Sequence, residues 1–141
     1  MQADFPVRAE TANTVAAIRK SLAILRQRMD WPTARHRLEE FDAMTKDPDL
    51  WNDAARARNL MRDRQMLVDA IQTCESIEQD LGDNIELIEL GEAEDDRDVI
   101  DEAVAALKSL AALAAKKERE ALLERLGARP RMAELLASLA P

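Results

Sequence analysis

The chain of 141 residues has few of the residues from which catalytic and ligand-binding sites are usually built. It has one histidine, His36, so no histidine pair can hold a metal ion, and a Cys–His or Ser–His–Asp arrangement can form only around that ring. Its three glycines, Gly82, Gly91 and Gly127, stand far apart, which excludes a glycine-rich phosphate loop. The sequence therefore predicts a protein that is not an enzyme and has no catalytic residue, metal ion or cofactor.

Cysteine and aromatic residues are also scarce. Cys74 is the only cysteine, so the chain cannot form an internal disulfide and is compatible with a reducing cytoplasm. Because Cys74 lies on an apolar helical stripe, we expect it to be buried and unreactive. His36 lies between two arginines and is expected to face solvent. With no tyrosine, two phenylalanines and two tryptophans, the chain has too few aromatic rings for a base-stacking platform.

Long apolar segments are also missing. No run of about 18 apolar residues is present, so no segment is predicted to span a membrane. The first six residues lack the apolar core of a signal peptide. We therefore expect a cytoplasmic protein.

Charge is abundant but unevenly distributed. The net charge is −8, and residues 75–102 carry thirteen acidic side chains and a single base, Arg97. Such a surface repels a phosphate backbone, so direct sequence-specific binding of nucleic acid by this chain is not expected. The acidic segment would suit a basic protein surface; the alternative is a solvated face that keeps the protein soluble.

Apolar residues recur at helical spacing along most of the chain, which predicts an all-α fold. We expect four helices, over about residues 8–28, 32–46, 53–90 and 100–126, with Gly91 as a left-handed terminator followed by an acidic turn at 92–98. The stripes that predict burial comprise Val15, Ile18, Leu22, Leu25 and Met29; Ala34, Leu38, Phe41 and Met44; Leu60, Leu67, Ile71, Cys74, Leu81, Ile85 and Ile88; and Ile100, Ala103, Val104, Leu107, Leu110, Ala111 and Ala114. The step between Cys74 and Leu81 is either filled by Ile77 or interrupted by Glu78.

The last two helices are long and only a short turn separates them, so they should form an antiparallel, coiled-coil-like hairpin covered on one side by the first two. Residues 1–126 are predicted to form this domain, and residues 127–141 a tail that could add a short helix. The segment 47–53, Asp-Pro-Asp-Leu-Trp-Asn-Asp, should form a packed corner between helices. We expect Trp51 to be largely buried there, Asn52 or Asp53 to cap the next helix, and Trp31 to mark the break after the first helix.

Several strings in this sequence resemble the N-terminal domain of bacterial peptide chain release factor 2, the class that terminates translation at UAA and UGA. They run in family order over roughly residues 8–123, and the segment at 47–53 and the string Ile-Glu-Leu-Gly-Glu-Ala-Glu at 88–94 are the most specific. The full set is Leu25-Arg26, Asp30-Trp31, Arg37-Leu38-Glu39-Glu40, Asp47 to Asp53, Leu87 to Glu94, Ala106-Leu107-Lys108 and Glu120-Ala121-Leu122-Leu123.

The resemblance implies a helical module that lies toward the ribosomal stalk base and contacts ribosomal protein there. The acidic candidates for that contact are Glu86, Glu89, Glu92 and Glu94. The family reads the stop codon with a Ser-Pro-Phe tripeptide and promotes peptidyl-tRNA hydrolysis with a Gly-Gly-Gln loop, and this sequence contains neither. After Leu123 the sequence is basic and is predicted to continue as a helix, where the family is expected to turn acidic. The alternative hypothesis is a self-associating coiled-coil structural or adaptor protein, or a decoy of the intact factor.

Overall fold

The computed structural model describes the backbone of residues 5–125 and the side chains of residues 8–124. Every element in that range is helical: α1 is Phe5–Met29, α2 is Trp31–Thr45, a short 3-10 helix is Pro48–Asn52, α3 is Ala54–Glu94 and α4 is Arg97–Arg125. The predicted all-α fold with an antiparallel pair of long helices, α3 and α4, is confirmed. The tail after residue 125 lies outside the described residues.

Helices α1 and α2 run end to end along α3, both antiparallel to it. Two ion pairs show the direction of α1 relative to α3. Arg8, near the start of α1, pairs with Glu92 at 2.6 Å, and Arg26, near its end, pairs with Glu78 at 2.6 Å. The two helices have 25 and 15 residues, and α3 has 41, so together they follow nearly its whole length. Asp30 joins them in a left-handed conformation, with φ of 56°.

Two packing regions result from this arrangement. Along the second half of α3, helices α1, α3 and α4 form a three-helix bundle. Along the first half, α2 and the 3-10 helix pack on α3. The buried residues of the bundle are Ile18, Leu22, Leu25, Cys74, Ile77, Leu81, Leu107, Leu110 and Ala114.

The core of the first half is smaller. Ala34 is fully buried against Leu67 and Ile71, and Phe41 packs at the edge of this cluster. Met44, which the sequence placed on the same face, is exposed, so that expectation was wrong. It lies in the last turn of α2, just before the chain turns into the 3-10 helix. Within residues 5–125, no helix is long and apolar enough to cross a membrane.

The prediction that Gly91 ends α3 was wrong. The helix continues to Glu94, and Asp95 adopts the left-handed conformation with φ of 54°, while the Asp96 N–H donates to the Gly91 carbonyl at 2.8 Å. Gly91 serves close packing instead, because a Cβ built there would lie 2.7 Å from Cγ1 of Ile100. The missing side chain lets the first turn of α4 approach α3.

Gly82 and Gly91 form a matched pair for a stability test. A Cβ at Gly82 meets nothing within 4 Å, so Gly82→Ala should stabilise the protein by about 0.5–1 kcal/mol through helix propensity and a less flexible unfolded chain. Gly91→Ala should destabilise it by roughly 1–3 kcal/mol, because Ile100 must move. Urea unfolding of both variants measures the difference. Equal effects at the two positions would contradict the packing role of Gly91.

Candidate functional site

The acidic end of the molecule is where α3 turns into α4. A turn of only two residues, Asp95 and Asp96, joins the helices. The side chain of Asp96 accepts a hydrogen bond from the Val99 N–H at 3.3 Å and so caps the start of α4. The negative charge at this helix start is also favoured by the helix dipole. The turn is therefore shorter than the predicted 92–98, and the Asp96 cap fixes where α4 begins.

The four glutamates predicted as contact residues are all exposed, but they do not share one face. At about 100° per residue, Glu86 and Glu94 lie on the outer face of α3, whereas Glu89 and Glu92 lie toward α1. Glu92 is held by the guanidinium of Arg8 at 2.6 Å. The structure therefore divides the predicted set into two pairs.

Glu89 and Glu92 border a groove of about 750 Å³ between α1 and the α3–α4 turn. Its floor is apolar, formed by half-buried residues and by the buried Ile100. Basic side chains of α1 stand on the opposite rim, so this groove carries both signs of charge. The floor residues are Val15, Ile85, Ile88, Ile100 and Val104, and the basic rim residues are Arg8, Arg19 and Lys20.

The outer face of α3 carries two exposed leucines that were not among the residues predicted from the sequence to form a site. Leu87 is 43% exposed and Leu90 is 52% exposed, although neighbouring Ile85 and Ile88 border the groove. Both leucines fall outside the apolar stripe of α3. That departure from the helical period was visible in the sequence and is the signal that could have identified them.

The corner between α2 and α3 differs from the prediction at Trp51 but has one of the two predicted caps. Trp51 is 55% exposed, so the expectation that it is largely buried was wrong, and Leu50, at 1% exposure, fills the corner instead. The indole of Trp51 lies against the end of α2, with Nε1 donating to the Thr45 carbonyl at 2.9 Å. Asp53, rather than Asn52, caps α3 by accepting from the Arg56 N–H at 3.1 Å.

Trp31 stands at the other corner, between α1 and α2. Its half-buried ring contacts both the bundle core and the smaller core under α2. The guanidinium groups of Arg26 and Arg35 lie 5.2 and 5.8 Å from the ring centre, within cation–π range. The two arginines also form ion pairs with Glu78 and Glu75 of α3, so Trp31 sits in a network that ties the α1–α2 junction to α3.

The single histidine and the single cysteine lie in very different surroundings, one exposed and the other buried. His36 is exposed on α2, with Nε2 3.0 Å from a carboxylate oxygen of Glu40. Cys74 is fully buried in the bundle core, and burial raises the pKa of its thiol. The neutral thiol is a weak nucleophile. Among residues 8–124, no group of three or more His, Cys, Asp or Glu side chains is placed to hold a metal ion.

The fold and its acidic end define a class of protein: a small helical domain built on one long antiparallel hairpin. The PCRF domain family matches residues 34–133, which is more than half of the chain. The chain therefore belongs to the PCRF domain family.

Three relatives similar to this chain are named peptide chain release factor 2. The chain is 58% identical over 118 residues to peptide chain release factor 2 of Roseobacter denitrificans, which covers 84% of this chain and 32% of that protein. The same figures hold for the protein of that name from Ruegeria sp.. The one from Paramagnetospirillum magneticum is 46% identical over 117 residues, covering 83% of this chain and 32% of the relative. The chain thus spans about a third of the length of these relatives.

Proposed function

We propose that this chain is a translation-termination domain that docks on the ribosome and does not by itself promote hydrolysis of peptidyl-tRNA. The observation that supports this most is the 58% identity, over 84% of the chain, to proteins named peptide chain release factor 2. The partner we propose is a basic ribosomal protein of the stalk base, as the family resemblance implies.

The charge distribution supports a protein partner rather than RNA. Thirteen acidic side chains and one base lie within residues 75–102. A phosphate backbone approaching this end would be repelled, whereas lysine and arginine side chains of a ribosomal protein would be attracted. Since Glu86, Glu89 and Glu94 are exposed at the end of a long helix, a partner can reach them without unfolding the bundle.

Packing inside the chain also favours docking over self-association through α3. The apolar stripe that could pair two copies is already covered by α1, α2 and α4 of the same chain. A dimer formed through Ile71, Cys74 and Ile77 would have to displace those helices from residues that are almost completely buried. Docking on a partner leaves this core intact.

The proposal predicts binding without release. Ribosomes stalled at a stop codon should not lose their peptide when the chain is added, because the sequence has neither a Ser-Pro-Phe tripeptide nor a Gly-Gly-Gln loop. Ribosome pelleting should detect binding at low salt that becomes weaker, but stays measurable, at about 0.15 M salt, where exposed charges are screened beyond about 8 Å. Stop-codon-dependent release by the chain alone would contradict the proposal.

A charge-matched pair of variants tests whether the acidic end contributes. One variant replaces the four predicted contacts with glutamine, and the control makes the same replacement at four exposed glutamates elsewhere. Ribosome binding, measured by pelleting, should be weaker for the first variant and close to that of the unmodified chain for the control. Equal binding by both would remove the acidic end from the docking surface. The first set is Glu86, Glu89, Glu92 and Glu94, and the control set is Glu39, Glu40, Glu120 and Glu124.

A further inference from the structure

The outer face of α3 near its C-terminal end combines exposed apolar and acidic side chains. Leu87 and Leu90 are one helical turn apart, and Asp83, Glu86 and Glu94 lie with them inside an arc of about 100°. Neither leucine belongs to a core cluster among the described residues. The face therefore has an apolar centre and an acidic rim, as protein interfaces often have.

The acids on this face are better placed for an external partner than those beside the groove. Glu92 is neutralised by Arg8, and Glu89 faces a groove whose other rim carries Arg19 and Lys20. In contrast, Glu86 and Glu94 form no ion pair with any residue whose side chain the structure describes. The charged side chains of the outer face are thus all acidic, while those of the groove are of both signs.

We infer that Leu87 and Leu90 anchor the docking contact, with Glu86 and Glu94 as its charged rim, on a basic protein surface that offers an apolar depression between lysine or arginine side chains. This inference rests on the proposed function and specifies the surface that carries it. Charge complementarity identifies the occupant, because thirteen acids against one base across residues 75–102 select a cationic partner. A nucleic acid is disfavoured by the same charges.

The two kinds of side chain should contribute in different ways. The acidic rim accelerates encounter and loses its effect as salt rises, since its charges are exposed. Burial of the leucines is far less sensitive to salt and should dominate the lifetime of the complex, as apolar residues at the centre of an interface usually do. Binding that survives moderate salt is therefore assigned to Leu87 and Leu90.

The test uses ribosome pelleting with salt-washed ribosomes and two pairs of matched variants. Leu87→Ala with Leu90→Ala removes the anchors, and Leu113→Ala with Leu123→Ala removes two α4 leucines that are each 44% exposed. We expect the first double variant to bind about tenfold more weakly, or worse, at both low salt and about 0.15 M salt. The control should stay within about twofold of the unmodified chain, and matching thermal melts check that both variants fold.

The second pair compares equal changes of charge. Glu86→Gln with Glu94→Gln should weaken binding at low salt more than Glu89→Gln with Glu92→Gln. Full binding by the variant without Leu87 and Leu90 would overturn this inference while leaving the proposed function intact. Failure of the unmodified chain to bind would overturn both. Equally strong binding to protein-free ribosomal RNA would also overturn the inference, because the acidic face cannot attract phosphate.

Discussion

Replacing Leu107 by alanine is expected to lower the free energy of unfolding by about 3 kcal/mol. Leu107 is fully buried where α1, α3 and α4 meet, so its removal leaves a cavity that three helices must collapse to fill. Ile85→Ala is the comparison, because Ile85 is only half-buried beside the groove and should cost about 1–2 kcal/mol.

Urea unfolding monitored by circular dichroism provides both values. The sequence places Leu107 and Ile85 on equivalent apolar stripes and does not distinguish them, whereas their different burial in the structure predicts a larger loss for Leu107→Ala. A loss below about 0.5 kcal/mol for Leu107→Ala would place this residue on the surface and contradict the three-helix packing.

The second large effect is expected at the corner between α2 and α3. Leu50→Ala should destabilise the protein by roughly 2–4 kcal/mol, because Leu50 packs with Ala57 and Leu60 at 1% exposure. Trp51→Ala should cost about 1 kcal/mol, since Trp51 is 55% exposed and the main loss is one hydrogen bond to Thr45.

Thermal unfolding of the two single variants decides which side chain holds the corner. The expected order is a much lower midpoint for Leu50→Ala than for Trp51→Ala. The reverse order would restore the interpretation drawn from the sequence, in which the tryptophan is the buried anchor. Both variants keep Asp47 and Asp53, whose side chains accept hydrogen bonds from Asp49 N–H and Arg56 N–H, so the turn itself is unchanged.

The long hairpin could be predicted from sequence because burial imposes the helical period directly. Ile18 of α1, Cys74 of α3 and Leu107 of α4 each lie on an apolar stripe with that spacing, and all three are buried in one cluster. The break at residue 30 was also predictable, since Pro32 fits the first turn of a helix and not its interior.

Gly91 shows where local rules fail. A glycine followed by acidic residues is typical of a helix end, but contact with Ile100 of α4 governs its position, and that contact depends on tertiary packing. Asp95, four residues later, takes the left-handed position because aspartate tolerates it.

The burial of Trp51 at the corner was wrongly predicted for a similar reason. Leu50 and Trp51 are adjacent in a 3-10 helix of five residues, so the two side chains point in different directions. Only one of them can face α3, and the preference of large aromatic rings for burial does not decide which one does.

The division of the four glutamates between two faces follows from the sequence alone. The spacing of Glu86, Glu89, Glu92 and Glu94 spreads these side chains around more than half of the helix circumference. What the sequence could not provide is the pairing of Glu92 with Arg8, because residues 84 positions apart meet only through the fold.

The uninterrupted course of α3 has a mechanical consequence. Its 41 residues make a rod of roughly 60 Å, with the Leu50 corner at one end and the acidic face at the other. The break at Asp30 in the layer beside it is bridged by α3 and by the arginines that flank Trp31. A tilt of this rod about its acidic end would displace the Leu50 corner by roughly 1 Å per degree, because the lever arm is about 60 Å.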